Sequence, residues 1–177
     1  IPYRDAIFSF MLVGFMIPIQ AIIIPLFYSM TKARLINSRI MLALLEAAMY
    51  MPFCVFLLRS FFRNIPVSLV EAARIDGANN FQIIRHVIVS VAKPAVFTVL
   101  ILQFKNSWNE FLLPLVMLQQ ERIQTLTLGF SRLQGGRYTL NYNSIGAAAI
   151  IVSIPMIIVF LLFQGKFIQG LAGAIKE

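Results

Sequence analysis

The stretch Ile145 to Phe163, IGAAAIIVSIPMIIVFLLF, holds no charged residue. A helix needs about 20 apolar residues to cross the hydrocarbon of a bilayer, and this run is of that length. Three more windows share the property. Ala6 to Met30 carries no charge, Ile40 to Leu58 carries only Glu46, and Pro94 to Leu118 carries Lys105 and Glu110. The composition agrees: 59% of the 177 residues are hydrophobic and 12% are charged, and mean hydropathy is +0.83. Soluble domains run near 45–50% apolar and about 25% charged. A chain this short cannot bury the excess in one core, so lipid is the solvent for much of it. The reading is an all-α, polytopic membrane protein with one transmembrane domain over residues 1–177. Its membrane helices are expected at about 6–30, 40–61, 94–118 and 144–167.

Every window contains proline: Pro18 and Pro25, Pro52, Pro94 and Pro114, and Pro155. In a membrane bundle, neighbouring helices and local adjustments re-satisfy the freed carbonyls, so kinked helices are expected. Gly146, Ala147, Ala148, Ala149 and Ser153 are small enough to admit a close helical neighbour. The single cysteine, Cys54, excludes an intramolecular disulfide and a Cys-rich metal site. The net charge of +8 does not indicate nucleic acid. The cations are scattered at the ends of apolar runs, as membrane proteins carry them. The chain starts at Ile1 with no signal-peptide pattern and reads as truncated at its start. No internal repeat is visible.

Between the second and third windows lies a polar segment, residues 63–93, holding Arg63, Glu71, Arg74, Asp76, Arg85, His86 and Lys93. Pro66 suits a first helical turn, Gly77 a C-terminal cap, and Asn79 or Asn80 the cap of a second helix. Phe81, Ile84 and Ile88 then recur at helical spacing. A helix–glycine turn–helix element outside the membrane is expected. Arg4, Arg59, Arg63, Arg74, Arg85, Lys93, Lys166 and Lys176 fall on its side of the membrane. Lys32, Arg34, Arg39, Arg122, Arg132 and Arg137 fall on the other. The richer set is expected in the cytoplasm, which places residues 119–143 outside.

The stretch Glu71-Ala72-Ala73-Arg74-Ile75-Asp76-Gly77-Ala78 resembles the EAA motif of ABC importer permeases, which lies in a cytoplasmic loop between membrane helices. Phe56-Leu57-Leu58-Arg59-Ser60-Phe61-Phe62, Asn64-Ile65-Pro66 and Lys93-Pro94-Ala95 extend the match. Trp108-Asn109-Glu110-Phe111-Leu112 is similar to a segment of the carbohydrate-uptake, maltose-type branch. The resemblance runs from about Met16 to the end of the chain. One departure stands out: where the family continues to Ile-x-Leu-Pro, this chain has Val87, Ile88, Val89 and Ser90. The end of the second loop helix is therefore not fixed by the motif. The family has about six core helices, which implies that the first two are missing here.

The resemblance implies a non-enzymatic permease subunit with no cofactor, in a bacterial-type inner membrane. Its implied partners are a second permease subunit, two copies of a cytoplasmic ATPase and an extracytoplasmic solute-binding protein, with a sugar as the solute. Glu71, Ala72, Ala73, Arg74, Asp76 and Gly77 are then the ATPase-docking residues. The physical logic is consistent. Small alanines allow close helix approach, Gly77 permits a sharp turn, and the charges offer partners for opposite charges.

In the third window, Gln103, Lys105, Asn106, Asn109 and Glu110 share an arc of roughly 160° at about 100° per residue. Leu100, Phe104, Trp108, Phe111 and Leu115 take the other side. Lipid does not tolerate such a stripe cheaply. With Glu46, at a similar depth in the second helix, it is read as a substrate path lined by amides and charges. The alternative is structural: Lys105 pairs with a carboxylate and the asparagines hold helices together. An ion-coupled secondary transporter using Glu46, Lys105 and Glu110 as a relay is the second functional class, and an intramembrane enzyme the third. Nothing completes a catalytic site around those acids or the lone His86. Gly165-Lys166 lacks the rest of a phosphate loop, so ATP hydrolysis is assigned to another chain.

Overall fold

The computed structural model describes residues 3–135 and 142–175, with helices throughout and no strand among them. Helices α1 (Arg4–Phe15), α2 (Ile19–Lys32), α3 (Arg39–Arg63) and α4 (Val67–Ile75) are followed by one long helix, α5 (Asn80–Asn109). Short α6 (Leu112–Met117), α7 (Leu126–Gly135) and α8 (Tyr142–Ile175) complete the order. Among the described residues three helices are long and apolar enough to cross a membrane: α3, α5 and residues 142–165 of α8. The pair α1 and α2 makes a fourth if it is one span.

That pair departs from the kinked helix expected over residues 6–30. It turns by 91° at the three residues between its helices. Pro18 has no N–H for the Gly14 carbonyl, and its ring crowds that carbonyl. The carbonyl accepts instead from the Ile17 N–H at 3.3 Å, and Pro18 itself is extended at the start of α2. Pro25, Pro52, Pro94 and Pro155 sit inside helices that continue through them.

The third window differs at both ends. Pro94 does not open the helix. Asn79 caps α5 far upstream, and residues Ile83–Ile88 form a π-helical turn before the α-helical course resumes at Val89. Ser90, where the motif has proline, keeps the backbone N–H that lets the helix run on. At the other end α5 stops at Asn109, short of the expected 118. Pro114 lies four residues after Glu110 and removes the donor for its carbonyl. The chain breaks there and restarts as α6.

The chain divides into two compact units. The first comprises residues 1–53 and 104–159. Its core is Leu42, Leu113, Met117 and Leu118, with Ile19, Ile23 and Leu26 of α2 and Leu45 and Met49 of α3 packed around them. Where the surroundings are lipid, closing such a cluster gains packing more than transfer from water. A corner at residues 34–39 closes one end of this unit. Asn37 adopts a left-handed φ of 59°. Its N–H donates to the Met117 carbonyl at 2.8 Å, and its Oδ1 accepts from the Gln119 and Gln120 N–H groups at 2.7 and 3.1 Å. Arg39 donates to the carbonyls of Ile123 and Arg122 at 3.1 and 3.0 Å.

The second unit comprises residues 54–103 and 160–177. Ala92, Ala95 and Thr98 are its buried face of α5, small residues three apart that admit a close neighbour. Phe97 and Phe163 stack at 6.0 Å. In the span 142–165 no residue of the apolar window is buried. Among the described residues Gly146 and Ala147 are exposed, and Ala148 and Ala149 are half-buried.

Candidate functional site

The hairpin of α4 and the start of α5 is written in local code. The Ala78 N–H donates to the Ala73 carbonyl and the Gly77 N–H to the Arg74 carbonyl, both at 3.0 Å. With Gly77 at φ 82°, this is a Schellman ending, and only glycine enters that backbone region without a Cβ penalty. Two residues on, the Gln82 N–H donates to Asn79 Oδ1 at 2.9 Å, and the Asn79 N–H donates to Gln82 Oε1 at 2.8 Å. That reciprocal capping box starts α5. Helix α4 packs on the π turn, where Ile83 is buried. At the base, Phe62, Ile65, Val67, Val70 and Ile88 line an apolar crevice of about 320 Å³.

The hairpin's outer face is open. Glu71, Ala72, Arg74, Asp76 and Gly77 are exposed and Ala73 is half-buried. Among the described residues Glu71, Arg74 and Asp76 take part in no ion pair. Ile75 is 87% exposed and Phe81 67%. Apolar side chains this open beside unpaired charges have the makeup of a docking surface. The sequence reading named the charges and the small residues and missed Ile75. It lies inside the quoted motif but off the apolar spacing of Phe81, Ile84 and Ile88.

The membrane polar groups divide into two sets. One set is fastened. Glu46, 7% exposed, accepts a hydrogen bond from Ser107 Oγ. Glu110 Oε2 accepts from the Tyr50 hydroxyl at 3.0 Å. Its Oε1 accepts from the N–H groups of Leu112 and Leu113 at 3.0 and 3.2 Å. The carboxylate thus occupies the start of α6, where backbone donors lack partners and negative charge is favoured. Trp108 Nε1 donates to the Val152 carbonyl at 3.2 Å, and Thr127 Oγ1 donates to the Trp108 carbonyl at 2.7 Å. In the other unit, the Cys54 thiol lies 3.8 Å from Gln103 Oε1, a weak hydrogen bond.

The second set is open. Lys105 and Asn109 are exposed and Asn106 is half-buried. Lys105 pairs with neither membrane carboxylate, nor with any acid among the described residues. Asn109 donates from Nδ2 to the Lys105 carbonyl at 2.8 Å, within its own helix. The pairing of Lys105 with a carboxylate, the structural alternative, is not formed among the described residues. Among the described residues the bonds between elements here are made by Tyr50, Ser107, Trp108 and Thr127. Tyr50 was legible as the residue one turn after Glu46. Trp108 was assigned to the apolar side, although indole N–H groups require a partner when buried. Among the described residues no hydrogen bond or ion pair joins Glu46, Lys105 and Glu110 to one another.

A family model described as the inner membrane component of binding-protein-dependent transport systems matches residues 2–173. The diacetylchitobiose uptake system permease protein NgcG of Streptomyces coelicolor is 33% identical over 177 residues, covering 99% of this chain and 57% of that protein. The arabinooligosaccharides transport system permease protein AraQ of Bacillus subtilis is 35% identical over 174 residues, covering 98% and 61%. The lactose transport system permease protein LacG of Rhizobium radiobacter is 31% identical over 175 residues, covering 98% and 62%. A solved bacterial ABC transporter involved in the import of the acidic polysaccharide alginate superposes with a TM-score of 0.73 at 25% identity, over 94% of this chain and 63% of that one. This chain thus spans about three fifths of the length of the proteins it matches. With its membrane helices, its glycine-turned hairpin and this match over nearly its whole length, the chain belongs to the family of inner membrane components of binding-protein-dependent transport systems.

Proposed function

We propose that the chain forms part of the permease subunit of an ABC importer that moves a sugar or oligosaccharide into the cytoplasm. The observation that carries the reading is the hairpin. It is a rigid knob with defined caps at both helix ends, and it presents Ile75 and Phe81 to solvent beside unpaired Glu71, Arg74 and Asp76. A rigid element with an unfilled contact face is what a permease needs to receive force from a separate ATPase. The relatives named for diacetylchitobiose, arabinooligosaccharide and lactose uptake support a sugar as solute.

In this reading the hairpin faces the cytoplasm, and residues 119–143, of which 136–141 lie outside the described residues, face the binding protein. A second permease subunit covers part of the exposed apolar surface of the spans, and lipid covers the rest. ATP binding by the partner chains moves the hairpin, and α5, continuous with it, carries the motion into the membrane. Lys105, Asn106 and Asn109 line the solute path. Glu46, Gln103 and Glu110 contribute to it through the geometry they hold.

The test is co-purification of the whole permease with its ATPase, and ATP-driven sugar uptake in proteoliposomes. Ile75→Glu and Phe81→Glu should each release the ATPase and abolish uptake while the permease stays folded in the membrane. Retained ATPase binding in both variants would reject the docking face. A wild-type complex that shows no ATP-dependent uptake of any sugar would reject the importer.

A further inference from the structure

Glu46 of α3 and the two charged residues of the α5 stripe, Lys105 and Glu110, are treated very differently. Each acid is already provided for. Glu46 is buried against the Ser107 hydroxyl. Glu110 has both oxygens occupied, one by Tyr50 and one by the backbone at the start of α6. None of these donors carries a charge. Lys105 has no such provision: its side chain is exposed and no carboxylate among the described residues reaches it.

An ammonium on a membrane span is costly unless it faces water, a cavity or a partner of opposite charge. Lys105 shares its arc with Asn109, one turn away and also exposed. The corner of the first unit at residues 34–39 carries the same sign. Lys32, Arg34 and Arg122 are exposed there and form no ion pair among the described residues. Arg39 is spent on carbonyls, and the one acid, Glu121, is paired with Arg132 at 3.2 Å.

Resting on the reading of this chain as an importer permease, we propose that the solute path carries a fixed, uncompensated cation at Lys105 and selects sugars bearing a carboxylate or other anionic group. The ammonium supplies the counter-charge for that group during passage. Asn109 and Asn106 supply amide contacts to the hydroxyls around it.

The field is read first without any substrate. In a cysteine-free assembled complex, Asn109→Cys is treated with two small thiol reagents, the anionic sulfonatoethyl and the cationic trimethylammonioethyl methanethiosulfonate. With Lys105 present the anionic reagent should be favoured by about tenfold. That preference should vanish in Lys105→Gln and persist in Lys105→Arg. A preference that survives Lys105→Gln, or a cysteine that neither reagent reaches, overturns the proposal. So does failure of Lys105→Gln to assemble, which would assign the ammonium to a carboxylate in a dry interface.

Transport is read second, as ATP-driven uptake of uronate disaccharides against their neutral counterparts. The acidic-to-neutral ratio should exceed one in wild type and fall several-fold in Lys105→Gln. Uptake of neutral sugars alone would overturn the proposal and leave the importer intact. Absence of all ATP-driven sugar uptake would strike the importer reading itself.

Discussion

The hairpin at Gly77 and the break at Glu110 both interrupt a helix, and they are built on opposite principles. At Gly77 every stabilising bond is local, because Gly77, Ala78 and the Asn79–Gln82 box bond only to residues within five positions. At Glu110 the cause is local, since Pro114 removes a donor, but the repair is partly distant. Tyr50, sixty residues away, completes the carboxylate's shell. A locally coded turn keeps its shape when its surroundings move, which suits the docking role proposed for it. A turn held across helices reports on, and resists, their displacement.

The largest effect is expected at the distant-bonded break. Glu110→Leu leaves the Leu112 and Leu113 N–H groups and the Tyr50 hydroxyl without an acceptor, at roughly 1–3 kcal/mol for each buried group. Thermal unfolding of the detergent-solubilised complex should shift down strongly, and little assembled protein should be recovered. Glu110→Gln keeps a carbonyl for the backbone donors and should lose about half as much. In a double-mutant cycle with Tyr50→Phe, the coupling should be about 1 kcal/mol. Additive behaviour would mean that the hydroxyl does not support the break.

Next comes Gly77→Ala. The added Cβ meets nothing within 4 Å, so the cost is backbone strain alone, about 1–2 kcal/mol. It should appear as faster amide exchange confined to residues 74–82 and as reduced ATP-driven uptake, with the melting temperature of the spans unmoved. A global destabilisation would contradict the local character of the turn. Asn79→Ala should cost about 1 kcal/mol through loss of the capping box. The Gln82 amide, which donates to Asn79, is the specific reporter for exchange.

The smallest effect on stability is expected at Lys105→Met. The ammonium is exposed and unpaired, so stability should change by no more than about 0.5 kcal/mol, and the complex should still assemble. Loss of assembly would move Lys105 to the fastened side of the stripe.

The sequence alone determined what local and periodic forces decide. The apolar windows required lipid, because no core of this size could hold them. Gly77 and an asparagine cap at Asn79 or Asn80 set the hairpin, because a left-handed cap and a helix N-cap need only their own neighbours. The polar stripe on α5 followed from helical geometry, and every proline of the membrane windows marked a place where a helix was expected to kink rather than break. Only the tertiary structure decided how those places resolve. A proline removes one donor wherever it falls, and whether the helix kinks or breaks depends on what else satisfies the freed groups. Pro94 and Pro155 pass through, Pro18 turns the chain by 91°, and Pro114 yields a break that Glu110 caps. The partition of the stripe was also beyond the sequence. Which acids are satisfied depends on Ser107 and Tyr50 being carried to them, and the distance between side chains on separate helices is set by packing, not by spacing along the chain.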